Sequence, residues 1–206
     1  MTPAEAVVLG LSYLIGAVPT SYLAGKWFRG IDLREHGSKN LGATNVFRIM
    51  GWKFAVPVAL IDIAKGAVPV LVLAPAVSTS AFFPLVCGVL AVVGHVFSVF
   101  VGFKGGKGVA TSAGVVLGMA PLAVGLCLLA WVLLVWLSGY VSLGSIVAAG
   151  LFPGVVWFLY PERRPTIWIY VALAAVIIWM HRANIGRLLA GTENRFGRGD
   201  RTKGAP

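Results

Sequence analysis

The amino-acid sequence predicts an all-α integral membrane protein with seven transmembrane helices. Hydrophobic residues make up 58% of its 206 residues, and Asp, Glu, Lys and Arg together make up only 12%. Soluble domains average about 45–50% apolar and about 25% charged residues, so the composition excludes a soluble globular domain, a disordered chain and a collagen-like chain. The chain is nevertheless basic, with a formal net charge of +10, and the placement of that charge predicts the topology.

Six apolar stretches are nearly free of charged residues, and a spanning helix needs about 20 such residues. The first stretch is expected to remain as an uncleaved span, because residues 1–10 contain Glu5 and no basic residue. Trp and Tyr residues near the ends of the stretches are typical of membrane interfaces. The stretches are residues 4–25, 54–77, 81–101, 109–138, 141–160 and 165–180.

The stretch 109–138 is ambiguous, because a single helix of that length would extend about 45 Å, beyond the hydrocarbon core. Basic residues decide between one crossing and two, since they favour the cytoplasmic side. Two crossings, with a break near residues 118–121, place the basic parts 26–53, 104–107 and 181–206 on one side. We therefore predict seven spans, with the N-terminus outside, the C-terminus in the cytoplasm and two short central helices.

The chain is expected to form one polytopic membrane domain, residues 1–206, with three polar segments that carry its chemistry. The first segment, residues 37–48, reads G-S-K-N-L-G-A-T-N-V-F-R. Its glycines let backbone N–H groups turn toward an anion, and Arg48 offers a planar fork suited to phosphate. The alternative is an ordinary capped turn with an arginine that anchors to anionic lipid.

The second segment, residues 94–111, contains G-G-K-G directly before an apolar helix. Such a turn presents backbone donors and a positive helix end to an anion. It is not a P-loop, because Gly108 follows Lys107 where that motif has Ser or Thr. A basic loop with a glycine hinge is the alternative, and His95 is either a packing residue or a functional one.

The third segment, residues 181–195, continues the last apolar stretch. On a helix His181 and Asn184 share one face, since residues three apart are neighbours, so they can act together. Arg182 and Arg187 point elsewhere and are interpreted as contacts to lipid headgroups.

Two polar features lie outside these segments. Asp62 and Lys65 are three residues apart inside the second apolar stretch, where charges are expensive and are usually paired or functional. An ion pair with only a structural role is one interpretation, and a functional role is the other. Ser145 is expected in the short turn between the fifth and sixth spans and is either a ligand donor or a cap.

The three segments resemble the motifs of the bacterial acyl-phosphate:glycerol-3-phosphate acyltransferases, the PlsY family. In order, they resemble G-S-x-N-x-G-A-T-N-x-x-R, G-H-x-F-P-V-F-x-x-F-x-G-G-K-G-V-A-T and H-x-x-N-x-x-R-L-x-x-G-x-E. Asp62-x-x-Lys65-Gly66 also matches an element of the family. Ser98 stands where Pro is usual and Lys39 where Gly is common, and neither departure removes a polar group.

The resemblance implies a multi-pass enzyme of the bacterial inner membrane with its active site on the cytoplasmic side. It would transfer a fatty acyl group from acyl phosphate to the sn-1 hydroxyl of glycerol 3-phosphate, giving lysophosphatidic acid and phosphate in phospholipid synthesis. The thioester-dependent acyltransferases carry H-x-x-x-x-D instead, and none of the three histidines here is followed five residues later by Asp.

The residues and the resemblance together predict the site. We expect catalytic roles for Ser38, Lys107, His181 and Asn184, with direct attack by the substrate hydroxyl, because acyl phosphate has a good leaving group. The base is either His181 or a substrate phosphate. The expected substrate-binding residues are Asn40, Gly42, Thr44, Asn45, Arg48, Gly105, Gly106, Gly108, Ser145 and Glu193.

The expected partners are acyl phosphate, glycerol 3-phosphate and membrane lipids. We expect no nucleic acid, no metal and no cofactor. An organic-anion transporter is the main rival class, but a transporter of this kind favours an internal repeat or charges spread across the membrane depth. Neither pattern is evident in the sequence.

Overall fold

The computed structural model describes residues 1–196, and within that range it contains helices and turns but no strand. This confirms the all-α prediction. The helices form two compact units, Met1–Pro121 and Leu122–Pro206, and each is considered by itself.

The first unit carries the first and second segments. Its helices are α1 (Pro3–Ala17), α2 (Thr20–Arg29), α3 (Ala43–Met50), α4 (Trp52–Val68), α5 (Ala74–Val77), α6 (Phe83–Val96) and α7 (Val109–Leu117), with a π-helical turn at Pro69–Leu73 and a 3-10 turn at Val99–Val101.

The second unit carries the third segment. Its helices are α8 (starting at Pro121 and ending at Ser138), α9 (Val141–Leu159), α10 (Ile167–Met180) and α11 (Arg182–Leu189), with a 3-10 turn at Pro161–Thr166.

Five helical segments within residues 1–196 are long and apolar enough to cross a membrane, and α1 with α2 makes a sixth if that bent pair is one span. The multi-pass character is therefore confirmed, whereas the number seven stays a prediction. The five are Trp52–Val77, Phe83–Val101, Pro121–Ser138, Val141–Leu159 and Pro161–Met180.

The first apolar stretch is not one straight helix, as the sequence suggested. It is bent by 43° between α1 and α2, at Val18–Pro19. Proline lacks an N–H group and disfavours helical backbone in the residue before it, and Val18 accordingly has ψ 115°. The break leaves carbonyls of α1 without helical donors, and two side chains from elsewhere in this unit satisfy them: Ser98 Oγ donates to Ala17 and Lys65 Nζ to Val18.

The stretch 109–138 is broken near the predicted position, because α7 ends at Leu117 and α8 begins at Pro121. Proline suits a first helical position, where its missing N–H group has no helical acceptor. Only one of the two helices is short, however. α7 has 9 residues, whereas α8 has 18 and falls within the range that spans a bilayer, so the expectation of two short helices is corrected for α8.

Glycines bring helix backbones of the first unit into direct contact. A Cβ at Gly66 of α4 would overlap the Thr111 carbonyl of α7, and a Cβ at Gly114 of α7 would overlap the Ile63 carbonyl of α4. Small residues allow such close approach between membrane helices. This contact holds α4, with Asp62 and Lys65, against the helix that the second segment opens.

Candidate active site

The loop of the first segment is built around the side chain of Asn45, which is 1% exposed. Asn45 Oδ1 accepts the Ser38 N–H at 2.8 Å, and Nδ2 donates to the carbonyls of Leu33 and His36 at 3.1 Å each. Both ends of the amide are thus occupied by backbone. Asn45 was expected among the binding residues, and its contacts show that it shapes the loop that carries Ser38.

Lys39 adopts a left-handed backbone conformation with φ 58°. Glycine reaches this region without steric strain, whereas a residue with a Cβ does so less readily. The tight turn therefore explains why glycine suits this position in related sequences. Ser38 and Arg48 are exposed near the two ends of the segment.

The first and second segments meet at Gly106. The Leu41 carbonyl and His95 Nε2 both lie where a Cβ of Gly106 would be, so only glycine fits between them. The Gly106 N–H donates to the His95 carbonyl at 3.1 Å, and the Gly105 N–H donates to the Val96 carbonyl at 3.0 Å. The amides of Gly105 and Gly106 thus bond within the fold, which differs from their expected use as substrate donors.

The start of α7 is the remaining anion-binding feature of the second segment. Gly108 caps α7 with φ 82°, and the first N–H groups of a helix have no intrahelical acceptors and lie at its positive end. The hydroxyls of Thr111 and Ser112 are buried, and within residues 1–196 they have no hydrogen-bond partner. This end of α7 has the donors that a phosphate group needs.

A buried polar cluster lies beside this loop. Lys65 Nζ is 2.5 Å from Asp62 Oδ1, Thr20 Oγ1 donates to the same oxygen at 3.0 Å, and His95 Nδ1 lies 4.0 Å from it. Asp62 and Lys65 thus form the ion pair that was one of the two interpretations from sequence. The groups line a narrow cleft, together with Gly105 and Gly106, that has room for little more than a water molecule.

Glu193 is the centre of the polar cluster in the second unit, and its side chain is 7% exposed. It accepts hydrogen bonds from Ser142 Oγ at 3.0 Å, Asn184 Nδ2 at 2.7 Å and Arg187 Nε at 2.6 Å. Arg187 therefore pairs with Glu193, which corrects its interpretation as a lipid contact. Ser142 and Arg187 were not expected at the site, because Arg187 is six positions from Glu193, which is not a helix-neighbour spacing, and Ser142 is 51 positions away.

The third segment orients His181, which is 3% exposed. Its Nδ1 is 2.8 Å from the Ile177 carbonyl, and a carbonyl only accepts, so Nδ1 carries the proton. In the neutral ring Nε2 is then the basic nitrogen. Ser145 lies inside α9 and not in the expected turn, because α9 already begins at Val141. It is 5% exposed, donates to the Val141 carbonyl and accepts from Trp131 Nε1.

The structure therefore groups the predicted site residues in two sets. One set lies on the two loops of Met1–Pro121, and the other surrounds Glu193 and Ser145 in Leu122–Pro206. Cluster members that were not among the predicted site residues are Thr20, Asp62, Lys65, His95, Ser142 and Arg187.

The second cluster predicts a pH dependence. Burial opposes ionisation of Glu193, but hydrogen bonds from Asn184, Arg187 and Ser142 outweigh it and lower its pKa below 4.5. A lowered pKa contributes stability above the unfolded value that is lost as pH falls through the folded value. We expect the melting temperature of wild type to fall as pH drops below about 4.5.

In Glu193→Gln this pH-dependent component should be absent, and at pH 7 the variant should be about 1–3 kcal/mol less stable, because a buried charged acceptor is lost. Thermal unfolding in detergent from pH 3 to pH 7 measures both effects. Glu162→Gln is the control, since the Glu162 side chain is 65% exposed. Equal pH profiles for wild type and Glu193→Gln would contradict the assignment.

Known proteins match this chain over almost its whole length. The family model for glycerol-3-phosphate acyltransferase matches residues 6–191. The chain belongs to the glycerol-3-phosphate acyltransferase family. A glycerol-3-phosphate acyltransferase of Chlorobaculum tepidum is 45% identical, over 93% of this chain and 97% of its own, and one of Chlorobaculum parvum is 43% identical over the same shares.

Solved structures of the acyltransferase PlsY (YgiH), an integral membrane protein, have the same fold. Its glycerol 3-phosphate form superposes with a TM-score of 0.87 at 37% identity, covering 94% of this chain and 96% of that one. Its lysophosphatidic acid form superposes with a TM-score of 0.83 at 36% identity, covering 94% and 95%. The acyltransferase family thus accounts for the apolar helices and the three polar segments together.

Proposed function

We propose that this acyltransferase transfers a fatty acyl group from acyl phosphate to the sn-1 hydroxyl of glycerol 3-phosphate, giving lysophosphatidic acid and inorganic phosphate. The observation that carries the proposal is the meeting of two glycine-rich loops at Gly106, beside the positive end of α7. Glycine-rich loops beside the positive end of a helix are features that commonly bind phosphate groups. The relative PlsY, in its glycerol 3-phosphate and lysophosphatidic acid forms, supports the choice of acceptor and product.

Two chemical arguments support acyl phosphate as the donor of the acyl group. Both substrates then carry phosphate, which suits a site rich in backbone donors and basic side chains. The substrate hydroxyl oxygen forms a bond to the acyl carbon, the bond from that carbon to the phosphate oxygen breaks, and phosphate leaves with the electron pair. Because phosphate is a good leaving group, no enzyme nucleophile is needed, and positioning supplies much of the acceleration.

In this mechanism the cationic and hydroxyl side chains bind glycerol 3-phosphate. Arg48 and Lys107 neutralise its phosphate, and Ser38 donates from the loop that Asn45 shapes. Asn40, Thr44 and the backbone at Gly42, with Gly108 and the first turn of α7, hold the acyl phosphate and stabilise the developing oxyanion. Gly105 and Gly106 contribute by fixing the loop.

The third segment supplies the remaining groups. With Nδ1 bonded to Ile177, His181 offers Nε2 as the base for the attacking hydroxyl. Glu193 holds Asn184 in one orientation, and Ser145 adds a hydroxyl held by Val141 and Trp131. A phosphate of the substrate is the other candidate for the base.

We place the site on the cytoplasmic side of the bacterial inner membrane, in a chain of seven spans with the N-terminus outside. The basic residues of the three segments support this, because positive charge favours the cytoplasmic side. Five helical segments and the bent pair of α1 and α2 would account for six spans, so the additional span needed to reach seven would be α7. Its 9 residues would need a thinned bilayer or a shielded position in the bundle.

His181→Ala is expected to lower kcat by about 10²–10⁴-fold, since the variant loses a positioned general base. Phosphate release at saturating substrates measures the effect, and thermal unfolding checks the fold. His36→Ala is the matched control, because His36 is exposed and its Nδ1 lies 2.9 Å from the Asp32 carbonyl of its own turn. Near-full turnover of a folded His181→Ala variant would assign the base to a substrate phosphate instead.

The overall activity is tested with the purified wild-type protein, palmitoyl phosphate and glycerol 3-phosphate. We expect release of inorganic phosphate that depends on both compounds, together with formation of lysophosphatidic acid. Palmitoyl-CoA in place of palmitoyl phosphate is the control. Activity with palmitoyl-CoA and none with palmitoyl phosphate would overturn the proposed donor.

A further inference from the structure

The buried cluster of Thr20, Asp62, Lys65 and His95 has no part in the mechanism above. All three ionisable members are at least 92% buried, at a depth where charged groups carry a large desolvation penalty. Lys65 has a clear structural task, because it pairs with Asp62 and satisfies the Val18 carbonyl at the break between α1 and α2. The position of His95 needs a separate explanation.

His95 faces the ion pair with one side of its ring and Gly106 with the other. Its Nδ1 lies 4.0 Å from Asp62 Oδ1, and its Nε2 lies where a Cβ of Gly106 would be. Its own carbonyl accepts the Gly106 N–H at 3.1 Å. One residue therefore contacts Gly106 through both its backbone and its side chain.

The Leu41 carbonyl of the first segment lies on the same side of Gly106 as His95 Nε2, because both atoms lie where a Cβ of Gly106 would be. The Gly106 backbone is thus packed against both Leu41 and His95, and it leads within two residues into Gly108, the cap of α7. A shift of Gly106 would change the position of Lys107 and the orientation of the first turn of α7. Placement errors of about 1 Å are enough to weaken binding and catalysis strongly.

We propose that His95, supported by the Asp62–Lys65 ion pair, is a positioning residue that fixes the Gly105–Gly106 backbone for phosphate binding. In this proposal His95 acts by positioning the loop and makes no contact with a substrate. Asp62 lies beside one edge of the imidazole, and the other edge of the ring limits the movement of Gly106. This role rests on the proposed function, since it assumes that the loop binds a substrate phosphate.

The test separates binding from turnover. His95→Ala is expected to raise the KM for glycerol 3-phosphate by about tenfold while kcat changes by less than about threefold, because a loosened loop weakens phosphate binding. His95→Gln, which restores a polar side chain of similar reach, is expected to return KM to within about threefold of wild type. If His95→Ala does not fold, the shorter polar variant His95→Asn replaces it with the same expected direction.

Leu85→Ala is the control for general loosening of α6. Leu85 is 1% exposed and lies ten residues before His95 in the same helix, so its truncation should lower the melting temperature without changing KM. A KM within twofold of wild type in folded His95→Ala would overturn the proposal. An equal rise of KM in Leu85→Ala would also overturn it.

Hydrogen–deuterium exchange supplies a measurement that needs no turnover. In His95→Ala the amides of Gly105 and Gly106, which donate to Val96 and His95, should exchange faster than in wild type, and in Leu85→Ala they should not. Unchanged exchange would contradict the positioning role. If wild type shows no acyltransfer at all, the proposed function fails, whereas the exchange result still decides whether His95 orders the loop.

Discussion

Asp62→Ala is expected to lower the free energy of unfolding by about 3–5 kcal/mol, because it leaves Lys65 buried without its counter-ion. The side chains of Lys65 and Asp62 are only 5% and 3% exposed, so water cannot replace the lost carboxylate. The same change removes the acceptor of Thr20 Oγ1. Thermal unfolding in detergent at pH 7 measures the loss.

The double variant Asp62→Asn/Lys65→Met should recover much of that stability, since replacing a buried ion pair as a whole is often near neutral. Asp32→Ala is the control, because its partner Arg34 is 34% exposed and can be solvated when the carboxylate is lost, so the loss of stability should be smaller than in Asp62→Ala. Equal losses in Asp62→Ala and Asp32→Ala would show that the buried pair is not needed for stability.

Gly114→Ala is expected to destabilise the first unit by about 3 kcal/mol or more, because overpacking against a backbone carbonyl cannot be relieved by a rotamer change. The added Cβ would overlap the Ile63 carbonyl of α4, so α4 and α7 would have to separate. The melting temperature and the yield of folded protein in detergent report the effect.

Gly125→Ala in α8 is the control, since a Cβ there would meet no atom within 4 Å in the described structure. Alanine is a better helix former than glycine by about 1 kcal/mol, so this variant should be as stable as wild type or slightly more stable. A Gly114→Ala protein that melts at the wild-type temperature would mean that the contact between α4 and α7 relaxes readily.

The helical membrane class could be predicted because it depends on composition and on the length of apolar stretches. The break before α8 was also predictable, since Gly118 and Pro121 interrupt a stretch too long for one span. The bend at Val18–Pro19 was missed, although Pro19 was a local signal for it. Because the residues on both sides of Pro19 are mostly apolar, residues 4–25 had the composition of one continuous spanning helix.

The sequence was sufficient to predict which segments form the candidate site, but not which atoms contact one another within it. Loops with glycine, Asn and Arg indicated phosphate chemistry, and the resemblance to PlsY motifs indicated the reaction. The inward use of the Gly105 and Gly106 amides could not be predicted, because which acceptor an amide reaches depends on the fold. The pairing of Arg187 with Glu193 depends on the turn after α11 in the same way.

By itself, therefore, the sequence determined the membrane class, the family and the three segments that carry the chemistry, because these depend on local composition and motif order. Only the tertiary structure decided that Gly106 packs against both Leu41 and His95, and that Lys65 pairs with Asp62 while it bonds the Val18 carbonyl at the break between α1 and α2. These contacts join residues far apart in the chain. Burial selects them, since each buried charge and each broken-helix carbonyl must find a partner inside the fold.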